Sequence, residues 1–189
     1  NAYFQSVIVD LAARAGNKDQ VIEEVRSLVS LYLGLKERKK RGALGKELKQ
    51  INAAISESRR TAEDNIRRLA QTWNQEGVKT RQKKTSRQAL AMYSDYLKLF
   101  PKAKLAYDLR FQMADLLYRL EDFSGAAKAY RETVEADPKG KYLVSAARDG
   151  IIAIEEHLRD LRLKKIKPSQ EPVSIHPERR RLIDACDRY

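Results

Sequence analysis

The chain has 189 residues, is 42% hydrophobic and 34% charged, and carries a formal net charge of +12. That length and apolar content allow a sizeable core, in one elongated domain or two small ones. Eight glycines and five prolines are too few for extensive disorder or a turn-rich β-sandwich, and no apolar run approaches the ~20 residues that span a bilayer.

The opening NAYFQS resembles a protease-site or cloning remnant. Tyr3, Phe4, Val7, Ile8 and Leu11 nevertheless form an apolar stripe running into VIVDLAARAG, so most of it is expected to be helix. Residues 3–15 and 19–33 read as a helical hairpin joined by Gly16-Asn17-Lys18, with Val21, Val25, Leu28 and Leu31 striping its second arm. Residues 34–49, GLKERKKRGALGKELK, are punctuated by Gly34, Gly42 and Gly45 and predict an exposed basic loop or frayed helix end. Beyond it, Leu44, Leu48, Ile51, Ile55, Ala62, Ile66, Leu69 and Trp73 recur at intervals of three, four and seven, as on one long amphipathic helix. A strict heptad would need an apolar residue at Ser58, so a 3.6-residue period packed inside the domain fits better than a dimeric coiled coil.

Two stretches then share a spacing. Ala89, Tyr93 and Pro101 are repeated by Ala126, Tyr130 and Pro138, 37 residues on. A fixed period of roughly 20–50 residues signals stacked supersecondary units. Small side chains let antiparallel helices approach, a ring packs on the next helix, and proline stops the second arm. Asp122 predicts an N-cap, and Thr85 with Gln88 a capping box. After Pro138, Leu143, Ala146, Ala147, Ile151, Ile154, Leu158 and Leu161 stripe another long helix. IKPSQEPVSIHP reads as a linker, and PERRRLIDACDRY opens a further helix that breaks off in mid-pattern, as in a fragment of a longer protein.

On these residues the chain resembles the tetratricopeptide repeat (TPR) family, whose unit is a helix–turn–helix of about 34 residues. Met113, Ala114 and Leu117 fall on the first-helix positions, Asp122-Phe123 on the turn, and Ala126, Tyr130 and Pro138 on the second arm. The preceding unit carries the family's Trp as Trp73 and its small residue as Gly77, with Ala89, Tyr93 and Pro101 following. Departures are Arg110 where Trp is usual, Thr133 where Ala is usual, and Glu76 and Thr80 where apolar residues are usual. The expected architecture is all-α, a TPR-like α-solenoid of stacked antiparallel hairpins with long helices. Its segments are 1–33, a degenerate hairpin; 34–49, the basic loop; 50–101, the long helix and first clear unit; 102–140, the best unit; and 141–189, a long helix, linker and further helix. The run from Tyr93 to Tyr142 is more finely similar to cell-envelope and gliding-motility TPR proteins of myxobacteria, which implies a bacterial assembly in the periplasm or cell envelope.

The basicity is regional. Residues 36–87 hold 16 Lys and Arg against 6 Asp and Glu, with Lys36, Arg38, Lys39, Lys40, Arg41, Lys83 and Lys84 as the candidate patch. A solvated surface explains this, and so does a footprint for nucleic acid, anionic lipid or an acidic protein. Its lone aromatic, Trp73, belongs to the apolar stripe, leaving nothing to stack on bases. No catalytic constellation stands out. His157 and His176 lack metal-ligand spacing, no glycine-rich phosphate loop is present, and no cofactor is implied. The single Cys186 excludes an internal disulfide and reads as a small buried apolar residue.

The resemblance implies a non-enzymatic scaffold that binds a protein or peptide on the concave face of its first helices, self-association also being open. Carried over, that face is Asp108, Phe111, Asp115, Tyr118 and Arg119, then Tyr142, Ser145 and Asp149. The family's carboxylate clamp wants Lys and Asn where Phe111 and Asp115 stand, so a basic or neutral ligand is expected rather than an acidic tail. The alternative is a basic helical nucleic-acid-binding module using residues 36–87.

Overall fold

A computed structural model describes residues 2–42, 44–163 and 174–188, and these form eight α-helices with no strand among them. The chain divides into two compact units, Asn1–Phe100 and Pro101–Tyr189.

The first unit contains α1 (Ala2–Arg14), α2 (Lys18–Lys40), α3 (Gly45–Thr80) and α4 (Lys83–Leu99). Asn17 caps α2, its side chain accepting from the Gln20 amide at 3.1 Å, and Gly16 takes the left-handed conformation (φ 77°) that closes the turn. Side-chain bonds fix the directions. Gln5 to Glu24, Lys18 to Glu76 and Arg38 to Glu47 make α2 antiparallel to both α1 and α3. Asn74 to Tyr93 and Tyr96 to Glu63 make α4 antiparallel to α3. The core runs through Val9, Val21, Val25, Leu28, Ile51, Ala62, Ile66, Leu69, Trp73, Ala89, Met92, Tyr93 and Tyr96, all buried. Gly77 is buried where α3 meets α4: a Cβ there would lie 2.9 Å from the Ser86 backbone nitrogen and 3.2 Å from its Cα. The small residue is therefore required by a backbone close approach, as the repeat spacing implies.

Several expectations are corrected here. Residues 34–49 are not a loop: α2 runs to Lys40 and α3 begins at Gly45, leaving only residues 41–44 between them. Gly34 sits inside α2 because Lys, Glu, Arg and Leu around it are strong helix formers that outweigh one glycine, whereas Gly42 and Gly45 adopt positive φ (103° and 55°) and make the break. The α2 stripe continues through buried Tyr32, not Leu31. Leu44 precedes α3 and is exposed, and Ser58, the polar residue in the α3 stripe, is fully buried with its hydroxyl donating to the Ala54 carbonyl at 2.6 Å. Thr85 does not cap α4, which starts two residues earlier. Its hydroxyl donates to the Gln82 side chain at 3.2 Å from a buried position in the first turn. The apolar stripe of α1 does not face the core; Val9 and Ala12 do.

The second unit contains α5 (Ala106–Arg119), α6 (Phe123–Ala136), α7 (Leu143–Asp160) and α8 (Pro177–Arg188), each packed on its neighbour in sequence. Asp122 caps α6, its carboxylate accepting from the Gly125 amide at 2.9 Å. Ala114 and Ala126 are fully buried, and Tyr130 nearly so. Tyr130 lies against α7, where a Cβ on Gly150 would come within 3.3 Å of its own Cβ. The helix ends at Ala136, just before Pro138, as α4 ends just before Pro101. Cys186 is not buried as expected but exposed, because it lies on the solvent side of α8. Most of the expected linker, and Tyr189, lie outside the described residues.

Candidate functional site

A half-buried side of α5 and the start of α7 carry the predicted face. Phe111 lies one turn above Tyr107 on α5, the i, i+4 relation that puts both rings on one side. Tyr142, at the N-terminus of α7, stacks flat on Phe111 (centroids 4.2 Å apart, planes within 5°) and touches Tyr107 at 5.4 Å. Tyr107 in turn accepts a hydrogen bond from the Tyr142 amide at 3.0 Å, pinning the loop between α6 and α7. Tyr130 closes the group from below, 5.9 Å from Phe111.

Carboxylates surround these rings. Asp108 pairs with Lys141 at 2.9 Å, and the Lys141 ammonium also sits 4.8 Å over the Tyr142 ring. Asp149 pairs with Arg148 at 2.8 Å. Asp115 accepts the Tyr130 hydroxyl at 2.7 Å. Burial pushes the Asp115 carboxyl above its usual range, opposed by that hydroxyl bond and the Arg119 charge, with nearby Asp149 pushing it further up. Burial, then the bond to Asp115, raises Tyr130 as well. The arrangement offers flat apolar rings beside carboxylates, suited to a peptide's amides and cationic side chains.

Of the predicted face, Asp108, Phe111, Asp115, Tyr142 and Asp149 come together, with Ser145 half-buried on the same helix as Asp149. Tyr118 does not join them: its ring meets Phe123 edge-on at 5.2 Å, where α5 turns into α6. Arg119 is exposed at that same end, and its charge acts on Asp115. Sequence reasoning missed Tyr107 and Lys141, although the i, i+4 spacing of Tyr107 and Phe111 was a signal for the former. It also missed a cleft of about 330 Å³ between α6, α7 and α8, floored by Ala146, Ala147 and Gly150 and rimmed by Lys128 and Arg181.

The basic patch is corrected by the helix directions. Lys36, Arg38, Lys39, Lys40 and Arg41 end α2, whereas Lys83 and Lys84 begin α4 beside the start of α2, where Lys84 pairs with Asp19 at 3.1 Å. About 20 residues of α2 separate the two groups, roughly 30 Å at 1.5 Å per residue. Arg38 pairs with Glu47 and Lys40 with Glu37, each at 2.7 Å.

Compared with known proteins, the chain matches no family model, no curated protein and no solved structure.

Proposed function

We propose that the chain is a non-enzymatic protein-binding scaffold of stacked TPR-like hairpins, working in a bacterial multiprotein assembly, and that the α5/α7 face takes a basic or neutral peptide of a partner. The observation that carries this reading is the Phe111–Tyr142 stack, half-buried and flanked by Asp108, Asp115 and Asp149. Rigid aromatic plates give contact area at low entropic cost, and carboxylates beside them select for cationic ligands. The solenoid reading is supported by the close approach at Gly77, by the fully buried small residues Ala114 and Ala126, and by Tyr130 lodging against Gly150. The nucleic-acid alternative, a module using residues 36–87, draws less support, because its seven named patch cations fall into two groups at opposite ends of α2 and its lone aromatic, Trp73, is buried and unable to stack on bases.

A random peptide library displayed on phage and panned against the protein tests the proposal. Enriched peptides should be basic or uncharged and depleted of Asp and Glu, and Phe111→Ala and Asp115→Asn should each weaken them at least tenfold by calorimetry. Failure to enrich any sequence, or enriched peptides indifferent to both substitutions, would overturn it.

A further inference from the structure

Helix α1 is apolar on two opposite sides. Val9 and Ala12 face the core of the first unit, while Tyr3 (63% exposed), Phe4 (65%), Val7 (37%), Ile8 (41%) and Leu11 (58%) face outward. At 100° per residue these five span a stripe about 140° wide, centred opposite the buried side. Water is a poor neighbour for such a face, and a contiguous apolar patch of this kind marks an interaction surface.

Its surroundings discriminate among occupants. A helix that lies on lipid carries Lys and Arg along its polar flanks, but α1 has one basic residue, Arg14, and one acidic residue, Asp10, which is already paired with Arg68 on α3. Only Lys18 and Arg26 follow on α2 before the basic cluster, which begins at Lys36, beyond α1. An apolar, aromatic, locally neutral strip matches instead the centre of a protein–protein interface.

We propose that α1 is the contact helix of a symmetric pair of copies of this chain. The stripe is self-complementary: in an antiparallel pair with its two-fold axis between Val7 and Ile8, Phe4 of one copy meets Leu11 of the other, and Val7 meets Ile8. An isologous contact of this kind closes on itself and leaves no open end. At their exposures the five side chains show roughly 500 Å² per copy, taking large side chains at about 150–250 Å² each. A pair therefore hides roughly 1,000 Å² from these residues alone, the size at which specific interfaces begin. The net positive charge of each copy opposes pairing weakly, since charges more than about 8 Å apart are screened at physiological salt.

Sedimentation velocity from roughly 1 to 200 µM tests this. The wild-type protein should rise from its 21.7 kDa monomer mass toward twice that value. Ile8→Glu and Phe4→Asp, both on the exposed face, should each raise the dissociation constant at least tenfold with unchanged far-UV circular dichroism. Val144→Glu, at a still more exposed apolar site on α7, should leave it unaltered, and added salt should not dissociate the pair. A wild-type chain that stays monomeric at the highest concentration would overturn the proposal, as would a dimer that survives both α1 variants. So would a monomer that co-sediments with phosphatidylglycerol vesicles through α1, because lipid would then be the occupant.

Discussion

The two units place the same buried signature under different surfaces. Gly77, Ala89 and Tyr93 in the first are matched 37 residues on by Ala114, Ala126 and Tyr130 in the second, and all six are buried. The outward positions differ. Where the second unit has Asp108, Phe111 and Asp115, the first has Gln71, Asn74 and Val78, and Asn74 turns its amide onto the Tyr93 hydroxyl at 3.1 Å instead of offering a ring. Carboxylates differ in the same sense. Hydrogen bonds from Lys84, then Gln88, hold Asp19 below its usual range, so its charge favours the folded first unit. Burial raises Asp115, so its charge works against the folded second unit. Spacing repeats where packing demands it, and chemistry diverges where a partner would touch. A charge kept at a cost in stability fits the proposed binding face.

The largest effects should show that the buried signature is equivalent in both units. Tyr93→Ala and Tyr130→Ala should each cost about 3–5 kcal/mol in urea denaturation, as expected for deleting a large buried ring. If one of them proved nearly neutral, the equivalence would fail. The glycines should then separate. Gly77→Ala drives a Cβ into the Ser86 backbone and should destabilise by about 1–3 kcal/mol, whereas Gly150→Ala meets Tyr130 at an adjustable 3.3 Å and, helped by better helix propensity, should stay within about 1 kcal/mol of wild type.

The carboxylates give smaller effects of opposite sign. The folded-state value of Asp115 is raised, so its stabilising contribution is full below the ordinary 3.8 and is lost as pH rises through the raised value. Asp115→Asn should thus melt about 1–2 °C higher than wild type at pH 7, a figure reduced because the carboxylate is half in water, and the gap should close below pH 3.8. The folded-state value of Asp19 is lowered, so its contribution is present above 3.8 and is lost as pH falls through the lowered value. Asp19→Asn should melt slightly lower at pH 7, and that difference should vanish in acid. Thermal scans at several pH values check both.

Features that depend on local chemistry were legible in the sequence. The Gly16-Asn17 turn, the Asp122 cap and the stops before Pro101 and Pro138 each follow from one or two residues acting on their own backbone. Features decided by competition between elements were not. Gly34 looked like punctuation, but strong helix formers on both sides carried α2 through it. Thr85 was matched to Asp122 by the repeat, yet α4 starts earlier and buries it. The basic residues looked contiguous because two antiparallel turns separate them only in space. At the face, Phe111 and Tyr142 were found by repeat position, while Tyr118 was drawn away by Phe123, a contact that spacing on α5 alone cannot reveal.

The most direct test of the central claim is an amide chemical-shift map of the isotope-labelled protein titrated with a library-selected basic peptide. The account predicts that the largest saturable shifts fall on Asp108, Phe111, Asp115, Tyr142 and Asp149, with Gln71, Asn74 and Val78 still. Shifts centred on the α3 positions, or spread over the basic ends of α2 and α4, would contradict it.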